Sequence, residues 1–371
     1  MIEPSPHNPN DMHKTHMLRE IQEQPQVISD VLHKTLDDVR QLAEEVKRRD
    51  VSLIVIAARG TSDHAALYAQ YLFQYLNGIP VALATPSLHT LYGTHLRLDR
   101  AMVIGISQSG QSPDIVEVVA QAKASGALTV GITNVADSPL ATIAQHTLLC
   151  HAGVERSVAA TKTYTTTCTI LAMLAAHMSG GESLREGTQH IPQLVTDALK
   201  SEERIASIAQ RYTHARNCVV LGRAFQYSTA RETALKLEET CYLVATPFST
   251  ADFRHGPAAL VERGLPVIVF APPGPTLEGS RELLTWLRER EADCLVVSQD
   301  ESALELATVP ISLTLPSLNQ DATQGKRASL AELLAPIPYI VCGQLLAHYL
   351  ALSKGLNPDQ PRSLTKVTRT M

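Results

Sequence analysis

The chain predicts an α/β fold built from two doubly wound parallel sheets in tandem. Three observations carry that expectation. First, short apolar, β-branched segments end in small or polar residues: VSLIVIA from Val51, MVIGIS from Met102, LTVGITN from Leu128 and HTLLC from His146. Such runs suit strands buried on both faces. Second, helix-like stretches lie between them, HAALYAQYLFQYL from His64 and IVEVVAQAKASG from Ile115, the latter stopped by Gly126. The order is therefore β-α-β-α-β. Third, NCVVLG from Asn217, PVIVFA from Pro266, DCLVVSQ from Asp293 and PISLTL from Pro310 follow at an offset of roughly 165 residues, as a duplicated unit would. Two unrelated α/β domains with similar strand spacing are the alternative.

A chain of 371 residues is long enough for two domains, each with its own core. The expected division is a flexible N-terminus over 1–16, a first domain over 17–195, a second over 196–356 and a tail over 357–371. The segment LAELLAPIPYIVCGQLLAHYLALSKGL from Leu330 is helical in character and leads into that tail. The net charge of -5 leaves no basic footprint for nucleic acid, so an anionic ligand needs a local site. Six cysteines are scattered without a CxxC pair, which suits buried thiols in a reducing compartment. No signal-peptide core or bilayer-length apolar run is apparent. A cytoplasmic protein without a membrane partner is expected.

Two loops carry candidate binding residues. After MVIGI come Ser107, Gln108, Ser109, Gly110, Gln111, Ser112, Pro113 and Asp114. Ser112 suits a helix N-cap and Pro113 the first helical turn, so unpaired N–H groups and the positive dipole end follow a parallel strand directly. Three serine hydroxyls and the Gln108 amide then converge where a phosphate would sit, with no basic residue needed. The other strand end, IAARGTSDHAAL, supplies Gly60, Thr61 and Ser62 before a second helix. Either loop alone reads as a capped turn. Their occurrence together at corresponding strand ends favours a ligand crevice.

A third cluster lies in FQYSTARETALKLEETCY, where Glu232, Lys236 and Glu239 recur at spacings of four and three along one helical face. The row reads either as a solvated Glu/Lys stripe or as a base held ionised by an ammonium. The following TPFSTADFRHGPAALV puts His255 in a turn, as an acid/base group near neutral pH or as a plain loop histidine. The tail carries Arg362, Lys366 and Arg369, a composition compatible with a frayed basic end.

ARGTSDHAA, ISQSGQSPD and GVERSVAATKTYTTT resemble the three motifs of the sugar isomerase (SIS) domain family, whose domains are flavodoxin-like and doubly wound. The likeness is strongest to the isomerase half of glucosamine-6-phosphate synthase and runs from Met17 to the end of the chain. It implies that Ser62, Ser107, Gln108, Ser109 and Ser112 hold the sugar phosphate and that Val158 and Ala159 line the sugar. The chain departs from the pattern at Ala160, where serine is usual, and at Ser112, where threonine is usual. ALKLEETCY, RHGPAAL and DQPRSLTKVT are similar to the family's catalytic segments. By that likeness Glu239 moves the proton between C1 and C2, while Lys236 and Glu232 orient it and stabilise developing charge. His255 opens the ring and comes from the other subunit of a homodimer, and Lys366 forms a Schiff base or pairs with the ketose carbonyl. No metal or cofactor is implied.

Residue 2 is isoleucine and the first cysteine is Cys150, so the glutaminase domain of the synthase is expected to be missing. The expected activity is then that of SIS-type glucosamine-6-phosphate deaminases, a phosphorylated amino sugar giving fructose 6-phosphate and ammonia. Fructosamine-6-phosphate deglycases and galactosamine-6-phosphate deaminases share the fold. A non-catalytic sugar-phosphate sensor is the alternative of another class.

Overall fold

The computed structural model describes residues 15–316 and 328–366. Most of the expected loose N-terminus, together with Arg369 of the tail, lies outside the described residues. The eight strands expected from sequence are present and are joined by two others. The first sheet comprises β1 (Leu53–Ala57), β2 (Val81–Leu83), β3 (Ala101–Ile106), β4 (Leu128–Thr133) and β5 (His146–Leu149), in the order β2-β1-β3-β4-β5. The second comprises β6 (Asn217–Gly222), β7 (Val244–Ser249), β8 (Pro266–Phe270), β9 (Asp293–Ser298) and β10 (Val309–Ser312), in the order β10-β9-β8-β6-β7.

All pairings are parallel, and the second order is the first repeated strand for strand. Each half is a doubly wound unit whose switch point lies between its first and third strands. Both strands missed by hydrophobic pattern sit at sheet edges. β2 is three residues long, and β7 carries Pro247, which an edge tolerates because one side of the strand has no partner to receive an N–H.

Two separate cores were expected, yet the main core is continuous across both halves. It joins Phe73, Tyr164 and Ile104 of the first half with Leu237, Ile268 and Leu345 of the second, and smaller clusters cover each sheet's outer face. The bridge is a layer of helices: Thr61–Asn77, Lys162–Ser179, Gln226–Cys241 and Pro336–Ser353. The last is buried on nearly every side, as expected of a helix apolar all round. Among the described residues no helix is long and apolar enough to cross a membrane.

The Lys162–Ser179 helix opens with four threonines within its first six residues, yet its first fifteen residues are buried. Hydroxyl bonds to preceding carbonyls make that possible: Thr166 donates to Lys162 O at 2.9 Å, Thr167 to Thr163 O at 2.7 Å and Thr169 to Thr165 O at 2.8 Å. Each removes a polar hydrogen that burial would otherwise leave unpaired.

Glu332 is the weak point in this interior. It lies on the Leu330–Leu334 helix, accepts one bond from the Thr276 hydroxyl at 3.1 Å and has no partner at Oε2. Burial pushes its carboxyl from 4.5 to about 7. The folded state therefore favours the neutral acid, and stability is lost as pH rises from 4.5 through 7. Glu332→Gln should be more stable than wild type at pH 8 by roughly 1–3 kcal/mol. Urea midpoints compared at pH 8 and pH 5 should show that advantage shrinking toward acid.

Candidate active site

The loop leaving β3 is shaped by backbone bonds to the end of β4. Ser107 N donates to Ile132 O at 3.1 Å, and Asn134 N to Gln108 O at 3.0 Å. Gly110 adopts φ 63°, and a Cβ there would collide with the Ser138 side chain, so the turn requires glycine. Ser112 occupies the N-cap position of the Pro113–Ala124 helix, but its hydroxyl makes no capping bond and lies 3.1 Å from the Ser107 hydroxyl. The Ser112 hydroxyl is thus left facing the loop, while Ile115 N in the first turn donates to Asp114 Oδ1 at 2.9 Å.

The loop leaving β1 turns at Gly60, φ 53°, into the Thr61–Asn77 helix. Arg59 Nε donates to Asp114 Oδ2 at 2.8 Å and so ties the two loops together across the switch point. Between them lies a cleft lined by Arg59, Thr61, Ser62, Gln108, Ala160 and Tyr164, among others. Sequence reasoning held a basic residue unnecessary here, whereas the structure puts one at the rim. The signal was present in ARGTS but carried no pattern beyond a single arginine.

Glu232, Lys236 and Glu239 project from the Gln226–Cys241 helix, and the row is not a solvated stripe. Glu232 and Lys236 are fully buried and Glu239 is 20% exposed. Lys236 Nζ lies 3.3 Å from Glu232 Oε1 and 2.5 Å from Glu239 Oε2, and also donates to the Thr61 hydroxyl at 3.2 Å. Thr61 in turn donates to Glu232 Oε1 at 3.0 Å, and His64 Nδ1 lies 2.7 Å from Glu232 Oε2. The first half therefore supplies two partners to a charge cluster of the second.

Burial pushes the Glu232 carboxyl up, but Lys236 and the His64 bond outweigh it and hold it below the ordinary value. Burial lowers Lys236, but Glu232 and Glu239 outweigh it and raise the ammonium above its ordinary range. The lysine stays charged and is an electrostatic group, not a free amine. His64 was not singled out in the sequence because one histidine in a helical first turn has no distinguishing spacing.

The remaining cleft wall is the 155–163 loop. Glu155, buried, accepts from Thr161 N at 3.0 Å, Thr163 N at 3.1 Å, the Thr163 hydroxyl at 2.8 Å and Lys366 Nζ at 2.7 Å. Burial opposes its ionisation, yet Lys366 and the two N–H groups keep its carboxyl below the usual range. Lys366 also donates to Ser157 O at 2.6 Å. Both of these bonds go to the loop, and Lys366 does not line the cleft.

Val158 and Ala159 likewise stand outside the lining, with Ala160 in their place; Val158 N donates to Asp359 O at 3.3 Å and Ala159 is fully buried. Gly60, Ser107, Ser109 and Ser112 belong to the two loops without lining the cleft, which Thr61, Ser62 and Gln108 do. His255 is exposed on the turn after the Thr250–Phe253 helix and does not reach the cleft of its own chain.

A duplicated doubly wound unit with a hydroxyl-rich crevice at its first switch point defines an open-sheet α/β protein that binds its ligand at strand carboxyl ends. More particularly, the SIS domain family matches residues 49–177 and 211–321, and the chain belongs to that family. It is 37% identical over 356 residues to the glutamine–fructose-6-phosphate aminotransferase (isomerizing) of Pyrococcus horikoshii, covering 94% of this chain and 57% of that protein. The protein of the same description from Gloeobacter violaceus is 34% identical, with 94% and 58% covered. The chain thus spans less than two thirds of these curated relatives.

Among solved structures, the C-terminal domain of glucosamine-fructose-6-phosphate aminotransferase from Francisella tularensis matches at 27% identity and TM-score 0.83, covering 95% of this chain and 100% of that one. Glucosamine-6-phosphate deaminase from Thermotoga maritima shares the fold at 22% identity and TM-score 0.74, covering 96% and 100%.

The Glu232–Lys236 pair yields a direct test. Glu232→Ala leaves a buried ammonium with one carboxylate partner instead of two, and should lower unfolding stability by about 3–5 kcal/mol. Denaturant titration at pH 7 measures it. Glu239→Ala should cost less, because Glu239 is partly exposed.

Proposed function

We propose that the chain is an aldose–ketose isomerase acting on amino-sugar phosphates, and that it converts glucosamine 6-phosphate and water to fructose 6-phosphate and ammonia. The observation that carries this reading is the buried Glu232–Lys236–Glu239 row standing beside a cleft walled by hydroxyl-bearing loops. Isomerisation needs a base beside C1 and C2 and a fixed positive charge for the oxygen that becomes negative. Glu239, the partly exposed member of the row, is assigned the base. Lys236, locked as an ammonium, supplies the charge, and Glu232 with His64 and Thr61 keeps it in place. Ser62, Ser107, Gln108, Ser109 and Ser112, with the helix start at Pro113, are assigned the phosphate.

The steps balance without an external oxidant. The ring opens to the aldehyde. A proton leaves C2 and one is delivered to C1 through an enolamine, so that C1 is reduced as C2 is oxidised. Water adds to the resulting 2-imino carbon and ammonia leaves.

Ring opening is assigned to His255 of a second copy, since the side chain does not reach its own cleft. Lys366 is assigned to holding the loop through Glu155 and Ser157, with the ketose carbonyl as a partner only if it leaves them. We place the functional units at 17–195 and 196–356, with 357–371 as the tail.

Purified protein should release ammonia from glucosamine 6-phosphate. Glu239→Gln and His255→Ala should each lower kcat by roughly 10²–10⁴-fold. Mixing the two variants should restore turnover through dimers in which one intact site forms. Amino acid released from fructoselysine 6-phosphate, or ammonia from galactosamine 6-phosphate alone, would redirect the substrate assignment. Failure of all three substrates would overturn the enzymatic reading.

A further inference from the structure

A carboxylate from the first described helix reaches the cleft loop. Glu20, on the His16–Gln22 helix, is 3% exposed. Its Oε1 accepts a short bond from Arg156 N, and its Oε2 accepts from Ser157 N at 3.2 Å. These are consecutive amides at the start of the loop that ends in Ala160 and Thr163 at the cleft wall. The same helix is strapped from the other side: Asp359 accepts from His16 N at 2.8 Å and Met17 N at 2.7 Å, while its carbonyl accepts from Val158 N. Helix, loop and tail thus form one knot, closed by Lys366 on Glu155 and Ser157 O.

We propose that Glu20 is a positioning residue, whose ionised carboxylate, bridging the Arg156 and Ser157 amides, holds the 155–163 loop in the shape the sugar phosphate requires. The inference rests on the sugar-phosphate reading of the cleft. A carboxylate with two oxygens meeting two adjacent N–H groups is the one side-chain anion that satisfies both at once. Glutamine would present an amide N–H to one of them. A protonated acid would likewise turn one acceptor into a donor.

Charged groups face Glu20 from each neighbouring element. Glu155 and Lys162 come from the loop and the helix that follows, and Lys162 is engaged by Glu23 at 2.7 Å. Asp359 and Lys366 come from the tail, both already committed to other partners. Burial, chiefly, pushes the Glu20 carboxyl to about 7; the Arg156 N–H draws it down and Glu155 drives it up again. The clamp is therefore complete above neutrality and opens as pH falls through about 7.

Hydrogen exchange of residues 155–163 and binding of fructose 6-phosphate test this on the full chain. In wild type, exchange corrected for intrinsic rate should quicken between pH 8 and pH 6, and affinity should fall over the same range. Glu20→Gln at pH 8 should exchange as wild type does at pH 6, with no further change in exchange on acidification, and should bind roughly tenfold more weakly than wild type at pH 8. Glu20→Asp, which keeps the charge, should retain part of the pH dependence.

Unchanged exchange in Glu20→Gln overturns the proposal, as does faster exchange with undiminished affinity. Should Glu20→Gln not fold, a pH-independent loop in wild type overturns it equally. If wild type binds no sugar phosphate at any pH, the reading of the cleft fails, while the exchange data still decide whether Glu20 holds the loop.

Discussion

Lys236 carries its charge in a place from which water is excluded, and the arrangement of the two halves follows from that. A fully buried ammonium is tolerated only with close anionic partners and further hydrogen bonds around them. Glu232 and Glu239 provide the anions from the same helix. Glu232 is bonded further by Thr61 and His64 from the opposite half. Displacing one half from the other would strip Glu232 of both partners, so the cluster fixes how the halves meet. The continuous apolar core supplies the bulk of the cohesion, while the cluster sets the register.

The same interaction joins the second half to the first at the first half's switch point. Each half has a switch point, but only the first carries the serine-rich loop SQSGQS there. The corresponding loop after β8 reads PPGPTLEG, in which proline removes backbone donors. The charge row comes from the half that lacks those hydroxyls, and it is brought beside the cleft by the Thr61–Glu232 and Thr61–Lys236 bonds. Thr61 is both cleft lining and cluster partner, so the cleft and the charge row are connected through a single side chain.

The loop opposite is governed by a second set of carboxylates. Glu155 organises the start of the Thr-rich helix, and Glu20 organises the residues before it. Acids that accept backbone N–H groups fix the main chain more firmly than packing alone, since several directional bonds converge on one group. Here those acids sit far apart in sequence, and the tail that closes over them comes from the far end of the chain.

Much of this was legible from residue order. Buried strands, the internal repeat, the Ser/Gly loops at strand ends and the spacing of Glu232, Lys236 and Glu239 depend on local pattern, because strand and helix periodicities fix which side chains share a face. The edge strands β2 and β7 escaped because three residues, or a run broken by proline, carry no period. Whether the Glu/Lys row faced water or the interior was undecidable from spacing, since an exposed stripe and a buried cluster share one pattern. Only tertiary packing decided it. The partnerships of His64 with Glu232, Arg59 with Asp114 and Glu20 with the Arg156–Ser157 amides were likewise set by the docking of distant elements. Sequence thus determined which chemistry the chain carries, and the tertiary structure decided which of those groups are dehydrated, paired and brought to one cleft.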